Sequence, residues 1–156
     1  MSLWRIASET PTYRAQDTTG SGAQRSGGRW NSVGTPMIYA SSTRALACLE
    51  TVVHLAGTRP LPLHRYLVEV VVPGAVWAER VRFDIDRDPT WDALPAGLTS
   101  ITWGSAWGKS MRSLLAEVPS VIVPEESNVL INPLHAAALE ISVIVRRRWT
   151  YDGRMG

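Results

Sequence analysis

The sequence predicts an α+β fold with mixed, mainly antiparallel sheets and flanking helices. Its 156 residues and apolar fraction of 45% suit one domain with a single core. The predicted elements run strand, loop, strand, helix, two strands, helix and three strands. Because this order lacks the regular alternation of a doubly wound parallel sheet, it favours a mixed architecture. We therefore expect a single α+β domain over residues 1–156.

The first part of the chain predicts two short strands and a helix. Residues 2–6 (SLWRI) and 37–41 (MIYAS) have the short apolar pattern of strands, and a glycine-rich loop separates them. The apolar spacing of residues 43–56 predicts a helix. Ser41 or Ser42 is the expected N-cap, since a serine hydroxyl accepts a hydrogen bond from the first turn.

The second part predicts strands around one further helix. Residues 65–72 and 76–85 carry β-branched and aromatic side chains, and Pro73 and Gly74 between them mark a turn, so we expect a pair of strands. Residues 103–118 have helical spacing and end before a proline. Short apolar runs at residues 120–124, 128–132 and 140–149 predict the last three strands.

Composition limits the classes of function that the chain could have. There is no apolar run of membrane-spanning length and no leader pattern, so we expect a cytoplasmic protein without membrane contact. Cys48 is the single cysteine, and His54, His64 and His135 lack ligand spacing, so we expect neither a disulfide nor a bound metal. Lys109 is the single lysine among 16 basic residues. Arginine suits bidentate binding of phosphate, although coding bias gives the same ratio.

A glycine-rich loop at residues 20–34 (GSGAQRSGGRWNSVG) is the first candidate for chemistry. Gly27 and Gly28 precede Arg29, and glycines can turn backbone N–H groups towards an anion. The loop therefore predicts a phosphate site containing Arg29. It matches neither a Walker loop nor a dinucleotide fingerprint, and a mobile surface loop is the alternative.

Glu50 is the second candidate, because it borders the apolar side of the predicted helix. It falls about 40° from Leu46 on a helical wheel of 100° per residue. A rigid, partly desolvated carboxylate at this position could stabilise a developing cation. The alternative is a solvated pair with His54, one turn further on. The apolar side itself consists of Leu46, Leu49, Val52, Val53 and Ala56.

Two further positions could carry polar contacts. Ser127 lies in the segment VPEESNVLINP without a neighbouring base, which favours a hydrogen-bonding role or a plain turn over a nucleophile. Strand alternation places Tyr39 and Met37 on one face, which could border a cleft or the core. Trp103 and Trp107, one helical turn apart, are predicted to be core residues.

The order of three segments resembles the RES domain family over residues 3 to about 151. These segments are GSGAQRSGGRWNSVGTPMIYAS, ALACLETVVH and VPSVIVPEESNVLINPLH. The resemblance implies a toxin of a bacterial toxin–antitoxin pair with an Xre-type antitoxin and a fold similar to that of ADP-ribosyltransferases. It also implies that NAD is the substrate, which such proteins cleave by phosphorolysis or hydrolysis or use to ADP-ribosylate a target protein.

The resemblance also assigns roles to individual residues. It implies that the catalytic residues are Arg29, Glu50, Ser127 and Tyr39. It implies that the NAD-binding residues are Arg5, Gly28, Trp30, Asn31 and Asn128. In this assignment Arg29 and the glycine backbone hold the pyrophosphate, and Glu50 stabilises the ribosyl cation that forms when nicotinamide leaves.

Two other classes of function stay open from the sequence. The run Arg146, Arg147 and Arg148 is a basic patch that could bind RNA or DNA, and steep salt dependence would identify such binding. The patch is short and the net charge is only +2, which makes direct nucleic-acid binding the less favoured alternative. An inactive protein-interaction module is the third interpretation.

Overall fold

The structure is a computed structural model that describes residues 1–57 and 60–155. Seven strands form one sheet in the order β4-β5-β6-β2-β1-β3-β7. Only β4 and β5 pair in parallel, and every other neighbouring pair is antiparallel. The prediction of a mixed, mainly antiparallel α+β fold is confirmed. The strands are β1 (Ser2–Ser8), β2 (Ile38–Ser41), β3 (Arg65–Val71), β4 (Val81–Arg82), β5 (Leu115–Pro119), β6 (Ser127–Ile131) and β7 (Ser142–Trp149).

In the part of the chain that the structure describes, four α-helices accompany this sheet. They are α1 (Ser21–Ser26), α2 (Arg44–His54), α3 (Gly74–Ala78) and α4 (Leu98–Ser110). Two short 3₁₀ segments, Ala136–Glu140 and Gly153–Met155, lie on either side of β7. Within residues 1–57 and 60–155, none of the helices combines the length and the apolar character that crossing a bilayer requires.

The sheet has an apolar core on each face, because alternate strand residues point to opposite sides. Helix α2 covers one face, where its Ala47 and Cys48 pack on Trp4, Ile6 and Leu67. On the same side of β2, Met37 packs with residues from α4, including Trp107. The opposite face is a second cluster that includes Leu3, Ile38, Ala40, Val70, Val129 and Ile131.

The sheet is weakly joined between β1 and β2. Their register contains a single pair, Trp4 with Ser41. Beyond it, Arg5 on β1 and Tyr39 on β2 line a cleft instead of continuing the ladder. The cleft therefore opens into the middle of the sheet, where side chains from both strands and from α2 can meet.

Helix α2 confirms the first predicted helix, with a different cap. Neither Ser41 nor Ser42 is the N-cap. Thr43 takes that position, and its hydroxyl accepts a hydrogen bond from the Leu46 N–H at 3.1 Å. Ser41 ends strand β2 instead, and its hydroxyl donates to Asn128.

The prediction of a strand at residues 76–85 was wrong. The segment after Pro73 folds as the short helix α3, and only Val81 and Arg82 are extended. These two residues pair with β5 rather than with β3. Glu117 on β5 binds both Arg80 and Arg82, at 2.7 and 3.0 Å, so an ion-pair network holds this short strand at the sheet edge.

Two other predicted boundaries also differ from the structure. The second long helix ends at Ser110, because Met111 adopts a left-handed φ of 52°, and the chain then forms β5. The predicted strand at residues 120–124 is a turn. Its Ser120 hydroxyl accepts hydrogen bonds from the N–H groups of Ile122 and Val123, at 3.1 and 3.2 Å.

Candidate active site

A cleft of about 410 Å³ brings together most of the predicted site residues. Its volume is within the range of small-molecule sites. Its walls come from β1, β2, helix α2 and the glycine-rich segment around α1. The predicted residues that line it are Arg5, Gly28, Arg29, Tyr39, Glu50 and Asn128, whereas Trp30, Asn31 and Ser127 lie outside its lining.

Glu50 is held in the cleft through one carboxylate oxygen. Its Oε1 accepts hydrogen bonds from the Ser120 hydroxyl at 2.8 Å and from the Asn128 amide at 2.5 Å. Among the described residues, nothing donates to Oε2, and no ion pair joins Glu50 to His54. The carboxylate is therefore fixed in position while one oxygen remains available to a ligand.

Asn128, which donates to Glu50, is itself held in place by a residue of the neighbouring strand. Its side-chain oxygen accepts a hydrogen bond from the Ser41 hydroxyl at 2.7 Å, which leaves its amide to donate to Glu50. Ser41 is buried and lies opposite Asn128 in the β2–β6 register. The hydrogen bonds from Ser41 to Asn128 and from Asn128 to Glu50 therefore connect the carboxylate on α2 to the paired strands β2 and β6.

The structure places Ser127 away from this network. Asn128 points towards α2, so alternation along β6 turns the Ser127 side chain to the other face of the sheet. The serine that binds Glu50 is Ser120, which is fully buried at the end of β5. Ser120 was not predicted as a partner of Glu50, because the pattern of residues 120–124 indicated a strand.

Tyr39 contributes its ring to the cleft, but its hydroxyl is already engaged. The hydroxyl donates to Asn31 Oδ1 at 2.7 Å and accepts from the Trp30 N–H at 3.0 Å. Burial raises the pKa of Tyr39 well above its usual range, although the Trp30 hydrogen bond and the charge of Arg29 oppose this. The protonated hydroxyl therefore supports the turn that carries Arg29 and is not free to bind a ligand.

Asn31 is buried and stabilises the turn that carries Arg29 through hydrogen bonds to the backbone. Its side-chain amide donates to the carbonyl oxygens of Ala23 at 2.8 Å and Thr35 at 3.0 Å. With 1% of its surface exposed, it cannot contact a ligand in the cleft in this conformation. Its contribution is to fix the path of the chain around Arg29.

The expected anion nest at the two glycines does not form. Gly27 has a φ of 68°, but its N–H donates to the Ala23 carbonyl. Gly28 donates to the Asn31 carbonyl, and its φ is not positive. Gly28 is required for space instead, since a Cβ there would lie 2.7 Å from the Tyr39 hydroxyl.

The Arg29 side chain is positioned by a different segment of the chain. Its Nη1 donates to the carbonyl oxygens of Trp91 at 3.1 Å and Ala93 at 3.0 Å. Within the described part of the chain, Nε and Nη2 have no hydrogen-bond partner. A guanidinium carries five N–H donors in one plane, so those on Nε and Nη2 can still bind an anion.

Trp30 belongs to an aromatic cluster behind the cleft. Its side chain is 2% exposed and stacks on Trp91 with ring centroids 6.2 Å apart. Phe83 and Trp103 meet it edge-on, at 4.8 and 5.7 Å. Trp30 therefore supports both sides of Arg29, the turn that carries it and the segment that binds its guanidinium.

Arg5 lines the cleft from the β1 side. Its Nη1 donates to the Asp17 carbonyl at 3.3 Å, so this guanidinium also has remaining donors. In residues 1–57 and 60–155, no group of three or more His, Cys, Asp or Glu side chains could hold a metal ion. The ionisable side chains that line the cleft include three arginines (Arg5, Arg29 and Arg65), His54 and the carboxylate of Glu50.

Comparison with known proteins gives the class to which this fold and cleft belong. The sequence model of the RES domain matches residues 2–152. The chain therefore belongs to the RES domain family, and the predicted resemblance is confirmed.

Individual relatives carry the names of toxins. The chain is 54% identical over 155 residues to the "Prs ADP-ribosylating toxin" of Sphingobium sp. (strain YBL2), covering 99% of this chain and 96% of the relative. It is 36% identical to "Toxin Res" of Yersinia enterocolitica, covering 86% of each chain. It is 33% identical to "Toxin Res" of Pseudomonas putida, covering 99% of each. The family and these names support its classification as a RES-family toxin.

Proposed function

We propose that the protein binds NAD in the cleft and cleaves the bond between nicotinamide and ribose, so that ADP-ribose passes to an acceptor. The observation that carries this proposal is the geometry of Glu50, a carboxylate fixed through one oxygen with the other facing a cleft that Arg29 also lines. The name of the Sphingobium relative favours a protein acceptor. Water and phosphate are the other acceptors that the same chemistry allows.

The proposed reaction uses the charge that the substrate already carries. The bond from the pyridinium nitrogen to the ribose carbon breaks, and its electron pair leaves with neutral nicotinamide. A positively charged ribose then develops beside Glu50 Oε2, which stabilises it or accepts a hydrogen bond from a ribose hydroxyl. The acceptor forms the new bond to the same carbon and gives up its proton.

Arg29 is suited to the pyrophosphate of the substrate. Its Nη1 stays on the carbonyl oxygens of Trp91 and Ala93, while Nε and Nη2 donate to phosphate oxygens. The Tyr39 ring provides an apolar wall next to it. In this proposal Tyr39 and Asn31 position the arginine, and Asn128 and Ser120 position the carboxylate.

The toxin names of the relatives favour a partner that controls this activity. We include in the proposal an Xre-type antitoxin that neutralises the protein and growth arrest as the result of its free activity. The cytoplasm, which contains NAD and protein acceptors, is the proposed location.

Incubation of the purified protein with NAD tests the reaction. We expect release of nicotinamide, and mass analysis of the other product distinguishes a modified protein from free ADP-ribose or a phosphorylated ADP-ribose. A well-folded protein that releases no nicotinamide, with or without candidate acceptors, would contradict the proposal.

The variant Glu50→Gln tests the role of the carboxylate. Glutamine keeps an oxygen for Ser120 and Asn128 but removes the charge, so turnover should fall about a hundred- to a thousandfold without loss of folding. Glu125→Gln is the matched control, because Glu125 is exposed and outside the cleft. Equal activity of the two variants would place the chemistry elsewhere.

A further inference from the structure

A second groove, of about 440 Å³, adjoins the candidate active site and shares Trp4 with it. Its lining comes from β1, β3, β7 and the first turn of α2, and consists of Trp4, Arg44, Leu67, Glu69, Arg146 and Arg147. We call this surface the arginine groove. It includes two of the three arginines of the sequence run at residues 146–148, which the proposed reaction does not use.

A β-bulge explains how two consecutive arginines reach the same groove. Neighbouring strand residues normally point to opposite faces. In the β3–β7 register, Leu67 pairs with Arg147 and Val68 pairs with Val145, so Arg146 is an extra residue on β7. A bulge redirects one side chain, and here it allows Arg146 and Arg147 to border one groove.

The groove has an excess of positive charge. Glu69 is its only acid among the described residues, and its carboxylate is bound by Arg146 at 2.5 Å and by the Ser2 hydroxyl at 2.5 Å. Within residues 1–57 and 60–155, neither Arg44 nor Arg147 forms an ion pair. The groove therefore has three arginines against the single carboxylate of Glu69, and neither Arg44 nor Arg147 is in direct contact with that carboxylate.

Both of these guanidinium groups are held by tryptophan rings. Arg44 lies 3.8 Å from the centroid of the Trp4 ring, and Arg147 lies 4.5 Å from that of Trp149. Stacking restricts each guanidinium while leaving most of its N–H donors at the rim of the plane. An acidic group that enters the groove therefore meets donors that are already ordered.

We propose that the arginine groove is a docking site for an acidic segment of a partner protein. Two stacked arginines with apolar surface from Trp4 and Leu67 fit carboxylate side chains on a short peptide. Nucleic acid fits less well, because its binding usually neutralises many phosphates in a row. Here Arg146 is bound to Glu69, and Arg148 points to the Leu63 carbonyl.

Fluorescence titration with labelled peptides tests this site. A labelled oligoglutamate peptide should bind the whole protein with an affinity that falls as salt rises, while an oligolysine peptide should not bind. Arg44→Ala and Arg147→Ala should each weaken oligoglutamate binding about tenfold, the loss expected for one charge-assisted hydrogen bond. Arg112→Ala removes the same charge from an exposed position outside the groove and should bind like the wild type.

Two further variants separate docking from loss of structure. Glu69→Gln releases Arg146 and should strengthen oligoglutamate binding, a gain that a damaged fold cannot produce. Arg44→Lys keeps the charge without the planar stack, and its affinity should lie between those of the wild type and Arg44→Ala. Equal weakening by Arg112→Ala, absence of oligoglutamate binding, or tighter binding of a labelled oligothymidine through the same arginines would each overturn the proposal.

Discussion

Glu50 Oε1 accepts two hydrogen bonds, and this arrangement separates the roles of two serines. Ser120 donates to the carboxylate and is fully buried, whereas Ser127 lies on the other face of the sheet. A residue that acts through Glu50 affects turnover by changing the position of that carboxylate. The pair Ser120 and Ser127 therefore allows a matched comparison.

We predict that Ser120→Ala lowers kcat for NAD cleavage about tenfold, while Ser127→Ala leaves it close to that of the wild type. Ser120→Ala removes one of the two hydrogen bonds that fix Glu50 Oε1, whereas Ser127 donates no hydrogen bond to Glu50 among the described residues. Steady-state kinetics measure kcat for both variants, and a larger loss in Ser127→Ala would contradict the assignment.

The Tyr39 hydroxyl gives a second prediction at the scale of a residue. Tyr39→Phe leaves the Trp30 N–H and Asn31 Oδ1 without their partner, which should reduce the free energy of unfolding by about 1–3 kcal/mol. KM for NAD should rise, because the turn that carries Arg29 loses the two hydrogen bonds of the Tyr39 hydroxyl. Tyr66→Phe, at a half-buried tyrosine outside the cleft, is the control for thermal melting and kinetics.

The pKa of Tyr39 also predicts how its contribution to stability depends on pH. Burial raises this pKa in the folded protein above its ordinary value of 10.0, so the folded state keeps the proton that the unfolded state loses. The contribution is therefore complete below pH 10 and decreases as pH rises towards the folded value. Wild-type unfolding free energy should fall more steeply above pH 10 than that of Tyr39→Phe, and parallel curves would contradict this.

The sequence allowed some residues of the candidate cleft to be predicted and not others. Arg29 and Glu50 were predictable because each lies in a recognisable local pattern, a glycine turn and a helix border. The contact of Ser120 with Glu50 joins residues 70 positions apart, and it is visible only once β5 and α2 are assembled. Asn31 bonds to residues near it in sequence, and its burial depends on how the chain between α1 and β2 folds back on Ala23 and Tyr39.

At the scale of elements, α4 packs against the Arg29 turn through a glycine. A Cβ on Gly104 would lie 1.9 Å from the Trp30 carbonyl oxygen, whereas a Cβ on Gly108 would make ordinary contacts at 3.7 and 3.8 Å. The helix therefore approaches the backbone of the turn more closely than any side chain allows. A displacement of α4 would therefore also move the turn that carries Arg29.

We predict opposite effects for two alanine substitutions in α4. Gly104→Ala should reduce the free energy of unfolding by at least about 2 kcal/mol, since backbone atoms must move. Gly108→Ala should be neutral or should stabilise by up to about 1 kcal/mol, because alanine favours the helix. Denaturant unfolding measures both, and similar losses in the two variants would show that the contact with Trp30 is not decisive.

The element boundaries that were mispredicted have a common physical cause. The spacing of Trp107, Met111 and Leu115 continues a helical pattern, but the left-handed Met111 ends the helix and Leu115 pairs with Ile131. Likewise, residues 76–85 have strand-forming side chains, and their conformation is set by α3 and by the ion pairs of Glu117. Local propensity was overridden by tertiary packing in both places.

At the scale of the whole molecule, the cleft is enclosed by parts that are distant in sequence. A ligand that contacts α2, β2 and the Arg29 turn together should stabilise the folded state, because it binds that state alone. The α+β class was predictable from the order of elements. The strand order that makes this enclosure could not be predicted, since β2 pairs with β6 and β3 pairs with β7, strands that are far apart in the chain.

We predict that NAD raises the melting temperature of the Glu50→Gln protein, which should bind NAD but cleave it much more slowly than the wild type. At a hundredfold excess over Kd, the gain should be about 2.7 kcal/mol, or roughly 5–10 °C. Adding Arg29→Ala should reduce this shift, because its donors for the pyrophosphate are lost. Differential scanning fluorimetry measures both shifts, and an unchanged shift in the double variant would argue against contact between Arg29 and NAD.

The single pair of Trp4 with Ser41 has a consequence for how the protein can change. Further pairing of β1 with β2 would add backbone hydrogen bonds, which would make the sheet more stable. It would also close the gap between β1 and β2 that the proposed substrate needs in order to reach the cleft. Selection for a more stable sheet and selection for access to the cleft therefore have opposite effects on the pairing of β1 with β2.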